Sequence, residues 1–172
     1  MMSTKRRSVT NSKEFATEAC LVERFIGALQ AGRTVFGGVQ VTTEWDHRSG
    51  FVDVLARDGT QSLVAFEAKL ADWRRAFLQA YRNTAYANRA YVLLPETTAH
   101  RAMRDREEFE FRGVGLCAFD GKQVRVLIEA SEQNALLAWL RARAHEHFDA
   151  LPDERRPGPN RRRGRTVQAA GI

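Results

Sequence analysis

Cysteine is almost absent from this 172-residue chain: Cys20 and Cys117 are far apart, and neither belongs to a Cys-x-x-Cys pair or a Cys/His array. That argues against a disulfide framework and a structural zinc site, and makes a reducing, cytoplasmic location the expectation. His145 and His147 stand two apart on a predicted helix and so point to different sides, which removes the remaining zinc candidate. No stretch approaches the roughly 18–20 consecutive apolar residues of a membrane span. The opening MMSTKRRSVTNSKEF carries basic residues without the apolar core of a secretory signal, so no membrane partner is expected. Three of the four prolines fall after residue 151. There is no internal repeat, no phosphate-binding glycine loop and no nucleophile elbow.

The net positive charge lies at the ends. The formal net charge is +6; residues 1–7 carry +3 and residues 152–172 carry +4, so residues 8–151 carry −1. This divides the chain into a basic N-terminal arm (1–12), one globular domain (13–150) and an Arg-rich tail (151–172) expected to be disordered. Clustered arginines attract a nucleic-acid backbone with little sequence preference, which makes Arg162, Arg163 and Arg165 candidate contacts, although a solubilising role for the tail stays open.

The densest signal is SGFVDVLARDGTQSLVAFEAKL, residues 49–70. The apolar runs FVDVLA and SLVAF flank Arg-Asp-Gly-Thr, a strong hairpin signal. Alternation puts Phe51, Asp53 and Leu55 on one face of the first strand, and Leu63, Ala65, Glu67 and Lys69 on one face of the second. A two-residue turn would set Glu67 on the opposite face from Asp53, so a shared site requires an odd loop or a bulge. A three-residue loop Asp58-Gly59-Thr60, with Gly59 at positive φ, would pair Asp53 with Ala65.

The residue types fit phosphodiester chemistry. Mg²⁺, with Mn²⁺ as a substitute, takes oxygen ligands, and one or two carboxylates beside a substrate phosphate hold it. Asp53 and Glu67 are the candidate metal ligands, with the Ala68 carbonyl as a third. Lys69 is placed to orient or deprotonate water, or to stabilise charge building on phosphorus.

Asp53, thirteen intervening residues and then Glu67-Ala68-Lys69 resemble the PD-(D/E)xK superfamily of restriction-endonuclease-like and resolvase-like nucleases. A helical pattern over Asp72 to Asn88 and the apolar run Ala90-Tyr91-Val92-Leu93-Leu94, ended by Pro95, extend the likeness to element order. Val52 departs from the proline that often precedes the aspartate. The resemblance implies an α/β fold with an αβββαβ core over roughly residues 13–95, a mixed sheet flanked by helices, and Mg²⁺-dependent nuclease activity, with DNA as the expected partner. It also implies one further carboxylate from the first helix. Over residues 14–30, Phe15, Ala19, Val22, Phe25, Ile26 and Leu29 define an apolar face. Glu18 falls inside that face and stands ahead of Glu23, which lies to one side. A catalytically silent nucleic-acid-binding module and a metal-free interaction domain are the competing classes.

On the helix after the site, Asp72 is the expected N-cap, and Trp73, Ala76, Phe77, Ala80, Thr84 and Ala87 the sheet-facing positions. Arg75, Gln79, Arg82 and Tyr86 form a separate stripe suited to phosphate and base. His47, with Asp46 and Glu44, is expected near the site edge. Beyond the core come a charged helix over 97–112, two strands around an Asp120-Gly121 turn, and an amphipathic helix over 132–148. That last helix carries Leu136, Trp139 and Leu140, and either closes the domain or builds a homodimer interface.

Overall fold

The computed structural model describes residues 15–152. The arm up to residue 14 and the tail from residue 153, with Arg162, Arg163 and Arg165, lie outside the described residues. Five helices and six strands follow in the order α1 (Glu18–Gln30), β1 (Val39–Asp46), β2 (Phe51–Asp58), β3 (Leu63–Ala68), α2 (Trp73–Asn83), β4 (Arg89–Pro95), α3 (Glu96–Ala102), α4 (Arg106–Arg112), β5 (Gly115–Phe119), β6 (Val124–Ile128) and α5 (Ala138–Asp149). A 3₁₀ turn over Met103–Asp105 breaks the single helix expected at 97–112 into α3 and α4. The first six elements stand in the α-β-β-β-α-β order expected from the sequence.

The strands form one mixed sheet in chain order β1 to β6. β1, β2 and β3 are antiparallel neighbours, β3, β4 and β5 run parallel, and β6 returns antiparallel. The parallel steps need crossovers, which α2 and the α3–α4 pair supply. Both faces of the sheet are covered, so its middle strands are apolar on both sides. Alternation along β4 shows the division. Ala90, Val92 and Leu94 pack with α2 to α5, and Tyr91 and Leu93 pack with α1. On β3, Leu63 and Ala65 belong to the α2 side, while Val64, Phe66 and Ala68 lie under α1. Glu67 therefore falls on the α2 side by alternation.

The β2–β3 hairpin has the odd loop that a common site requires, one residue later than expected. Arg57 pairs with Leu63, and the loop proper is Gly59-Thr60-Gln61, closed by the Asp58 N–H donating to Ser62 O. The positive φ belongs to Gln61, at 69°, and not to Gly59. Asp58 makes this possible, because its Oδ1 accepts from the Thr60 and Ser62 amides and from the Thr60 hydroxyl. The register differs accordingly: Leu55, not Asp53, stands opposite Ala65.

α5 closes the domain. Its Leu140, Ala144 and Phe148 enter the core. Buried Arg57 ties it to the sheet edge, donating to Gln40 Oε1, to Asp149 Oδ1 at 2.8 Å and to His145 O, with its guanidinium over the Phe148 ring. The helix begins at Ala138 and not at 132, which leaves Leu136 outside it and 86 % exposed. Among the described residues no helix is long and apolar enough to cross a membrane.

Candidate active site

The site forms where the pleat of β2 fails. Val54 and Ala56 pack under α1, yet Val52 and Leu55 both pack on the α2 side, so the alternation slips at Asp53. β1 slips at the facing position. Val39 and Val41 belong to the α1 side and Trp45 to the other, and Glu44 between them sits at φ 50°. The β1–β2 ladder is registered on both sides of this step, from Thr43–Val54 to Trp45–Val52, but not across Glu44 and Asp53. A non-glycine residue in the left-handed region costs on the order of 1–3 kcal/mol and concentrates at functional positions. Its consequence here is to release Asp53 from the regular strand. The expectation that Phe51, Asp53 and Leu55 share one face fails for this reason.

Asp53 then reaches across to the end of β3, where its Oδ2 accepts the Ala68 N–H at 2.8 Å. Lys69 lies immediately beyond. Its Nζ donates to Ala68 O at 2.9 Å and to Glu18 Oε2 at 3.3 Å, and stands 3.8 Å from Asp53 Oδ2. The lysine side chain is 13 % exposed. Glu67 is enclosed on the α2 side, where Asn83 Nδ2 donates to its Oε1 at 2.7 Å. Its second oxygen, Oε2, is buried and meets no donor among the described residues. Burial first, and the Asp53 charge second, push the Glu67 carboxyl up to about 8. In the metal-free protein at neutral pH, Glu67 is thus largely protonated.

The chain thus brings Asp53, Glu67, the Ala68 backbone and Lys69 together, with Glu18 touching the lysine. Glu18 arrives differently from the sequence expectation. The buried face of α1 is Leu21, Phe25, Ala28 and Leu29, while Ala19 is exposed and Val22 and Ile26 are half-buried. Glu18 is an exposed first-turn residue, not a member of the buried face. It lines a cleft of about 490 Å³ with Glu23, Val22, Ile26, Glu44 and Asp53. Glu23 shares the cleft wall, and among the described residues Lys69 takes its helix carboxylate from Glu18.

The polar stripe is also corrected. α2 ends at Asn83, where the Thr84 hydroxyl bonds the Tyr81 carbonyl, and not at Asn88. Tyr86 is 1 % exposed, packed against Trp45 and His47, with its hydroxyl donating to Asn83 Oδ1. It cannot meet a nucleic-acid base without unpacking. Arg75 and Arg82 are exposed, and Gln79 is half-buried with its Oε1 lacking a partner among the described residues. Asp72 caps α2 as expected, accepting from the Arg75 N–H. His47 does come to the site edge. With Ser49, Gln79, Arg82 and Asn83 it lines a hollow of about 50 Å³ that opens on Glu67. Burial pulls its imidazole down, which favours the neutral ring.

Asn83 escaped the sequence reading as a site residue. Its signal was positional: Ala76, Ala80, Asn83 and Ala87 recur at helical spacing, so a buried amide interrupts an otherwise apolar stripe. Glu44 was noticed only as a neighbour of His47. Among the described residues, no group of three or more histidine, cysteine, aspartate or glutamate side chains is arranged to hold a metal ion. Any metal site would rest on the Asp53 and Glu67 carboxylates with a backbone oxygen.

No protein-family model matches the chain. No curated protein matches it. Solved structures similar to it include the following two. The SPO1766 protein of unknown function from Silicibacter pomeroyi is 17 % identical with a TM-score of 0.48, over 77 % of this chain and 90 % of that one. A repair endonuclease from Pyrococcus abyssi is 20 % identical with a TM-score of 0.43, over 56 % of this chain and 45 % of that one.

Proposed function

We propose that the chain is a metal-dependent nuclease of the PD-(D/E)xK type, with a restriction-endonuclease-like core, that hydrolyses phosphodiester bonds in DNA. One observation carries this reading. Glu67 Oε2 is buried and, among the described residues, meets no donor; the Asp53 carboxyl faces Glu67, and a lysine stands at the end of the same strand. An orphaned carboxylate oxygen is costly unless a cation or donor satisfies it. Asp53, Glu67 and the Ala68 carbonyl are the groups that would hold Mg²⁺ or Mn²⁺. When bound, the metal supplies Lewis-acid stabilisation of charge on the phosphoryl oxygens.

The remaining work falls to the chain. Glu67 would have to surrender its proton before it could serve as a ligand. Lys69, already fixed by Ala68 O and Glu18, presents an ammonium where a water oxygen attacks phosphorus and the opposite P–O bond breaks. There it orients the water and offsets the added negative charge. Glu18 positions the lysine.

Cleavage of supercoiled, linear, single-stranded and branched DNA with Mg²⁺ or Mn²⁺ tests the proposal. Wild type should cut, and Asp53→Ala and Lys69→Ala should each lose at least about a hundredfold, the usual scale for a single acid–base or electrostatic group. A second reading is a silent nucleic-acid-binding module, favoured by the absence of a three-acid cluster among the described residues. It predicts DNA binding with neither cutting nor any heat on metal titration.

A further inference from the structure

A second cleft, of about 330 Å³, is walled by three arginines, Arg74, Arg101 and Arg104, with Ala71, Asp72, Trp73 and Asp105. Arg74 comes from the first turn of α2, Arg101 from α3 and Arg104 from the 3₁₀ turn, so three elements converge their guanidinium groups on one opening. All three arginines are exposed.

The two carboxylates in the wall are already committed. Asp72 accepts the Arg75 amide as the α2 cap, and Asp105 faces Arg74 at 3.5 Å. Arg74 lies 4.3 Å over the Trp73 ring, whose neighbour on the inner side is Phe109, so the indole is a fixed wall. Arg101 bonds the Thr98 hydroxyl, and Arg104 has no hydrogen bond or ion pair among the described residues. Neither of these two guanidinium groups faces a carboxylate among the described residues, and each is a planar fork matched to phosphate oxygens.

The cleft is mechanically joined to the catalytic strand. Thr98 Oγ1 donates to Leu70 O at 2.7 Å, and Arg101 donates to the same Thr98 hydroxyl, so the arginine is two hydrogen bonds from the residue after Lys69. Asp72 and Trp73 follow Lys69 by three and four positions.

We infer that this cleft binds a backbone phosphate of the nucleic-acid strand whose scissile bond lies at Lys69, through Arg101 and Arg104. This rests on the nuclease reading above and says by which side of the site the strand leaves. The α2 stripe of Arg75 and Arg82 is then secondary. Phosphate contacts of this kind set register and affinity without reading sequence.

Fluorescence anisotropy with labelled single- and double-stranded oligonucleotides, in EDTA and across a salt series, tests this without any catalysis. The Arg101→Ala/Arg104→Ala double variant should bind about tenfold more weakly at about 0.1 M salt, and its slope of log affinity against log salt should fall by about two. The Arg75→Ala/Arg82→Ala variant should move both quantities much less. Arg104→Glu, which breaks no internal bond, should reproduce most of the loss with an unchanged melting temperature. Wild-type affinity and slope in the Arg101/Arg104 variants, or a larger loss in the α2 pair, would overturn the assignment, as would failure of the wild type to bind at all. Arginine-dependent binding without cleavage under any metal would keep the cleft and sink the nuclease reading.

Discussion

Asn83 Nδ2 lies 2.7 Å from Glu67 Oε1 in a fully buried contact, and the other Glu67 oxygen meets no donor among the described residues. The helix after β3 therefore grips one oxygen of the carboxyl group and leaves the second toward Asp53. The grip stabilises the charged form, opposing the burial that neutralises it.

Replacing Asn83 with leucine removes that donor and keeps the volume. Glu67 should then hold its proton more tightly, and the acid limb of the cleavage pH profile should move to higher pH. Asn83→Asp should be worse, because it sets a second carboxylate against Glu67. The lost bond also leaves Glu67 Oε1 and the Tyr86 hydroxyl unpaired, costing about 1–3 kcal/mol in denaturation. Glutamine at 83 should recover part of the activity. A pH profile unmoved by Asn83→Leu would show that the contact serves packing alone.

Glu67 also sets the pH dependence of stability. Its folded pKa, about 8, lies above its unfolded value near 4.5. Between those values the folded state binds more protons than the unfolded one, so its contribution is complete below about 4.5 and is lost as pH rises through about 8. Metal-free wild type should weaken across that window by on the order of a few kcal/mol. Glu67→Gln, which keeps the Asn83 contact, should flatten the curve and exceed wild type at pH 8–9. Urea titrations from pH 5 to 9 in EDTA would show it. For wild type, metal binding should tighten with pH and release a proton, measurable as a buffer-dependent heat.

What the sequence revealed was local. The hairpin, the odd loop, the Asp72 cap, the apolar β4 run and the Ala76, Phe77 and Ala80 part of the α2 sheet face follow from period and turn chemistry within about twenty residues. The slip at Glu44 and Asp53 involves two strands at once, and nothing in either strand alone marks it. Tyr86 was misplaced because the period continues past Asn83, whereas the Thr84 hydroxyl ends the helix there. The Arg101 and Arg104 cleft depends on the break that splits the predicted 97–112 helix, a tertiary effect of packing Ala99, Ala102 and Phe109 on one sheet.

Arg57 offers a control remote from the chemistry. It is 4 % exposed and joins β2 to Gln40 on β1 and to the end of α5. Its Asp149 partner is largely solvated, so the loss falls mainly on Gln40 and on the packing against Phe148. Arg57→Met should destabilise by about 1–3 kcal/mol while leaving residual cleavage per folded molecule at the wild-type level. An activity loss beyond the folded fraction would mean that α5 contributes to the site.

Glu18 and Glu23 share a helix and a cleft, but only Glu18 contacts Lys69. That contact is half-solvated, so its effect on stability should be small, within about 0–1 kcal/mol. Its effect on chemistry should be larger, because among the described residues the lysine is otherwise fixed by Ala68 O and Asp53 alone. Glu18→Gln should lower kcat by about tenfold with little change in DNA affinity, since it loosens a positioned ammonium without removing a phosphate contact. Glu18→Asp should fall between the two. Glu23→Gln should leave kcat unchanged and, by removing a negative charge from the cleft rim, bind DNA slightly more tightly at low salt. Single-turnover cleavage separates these outcomes, and a larger kcat loss at Glu23 than at Glu18 would reassign the helix carboxylate.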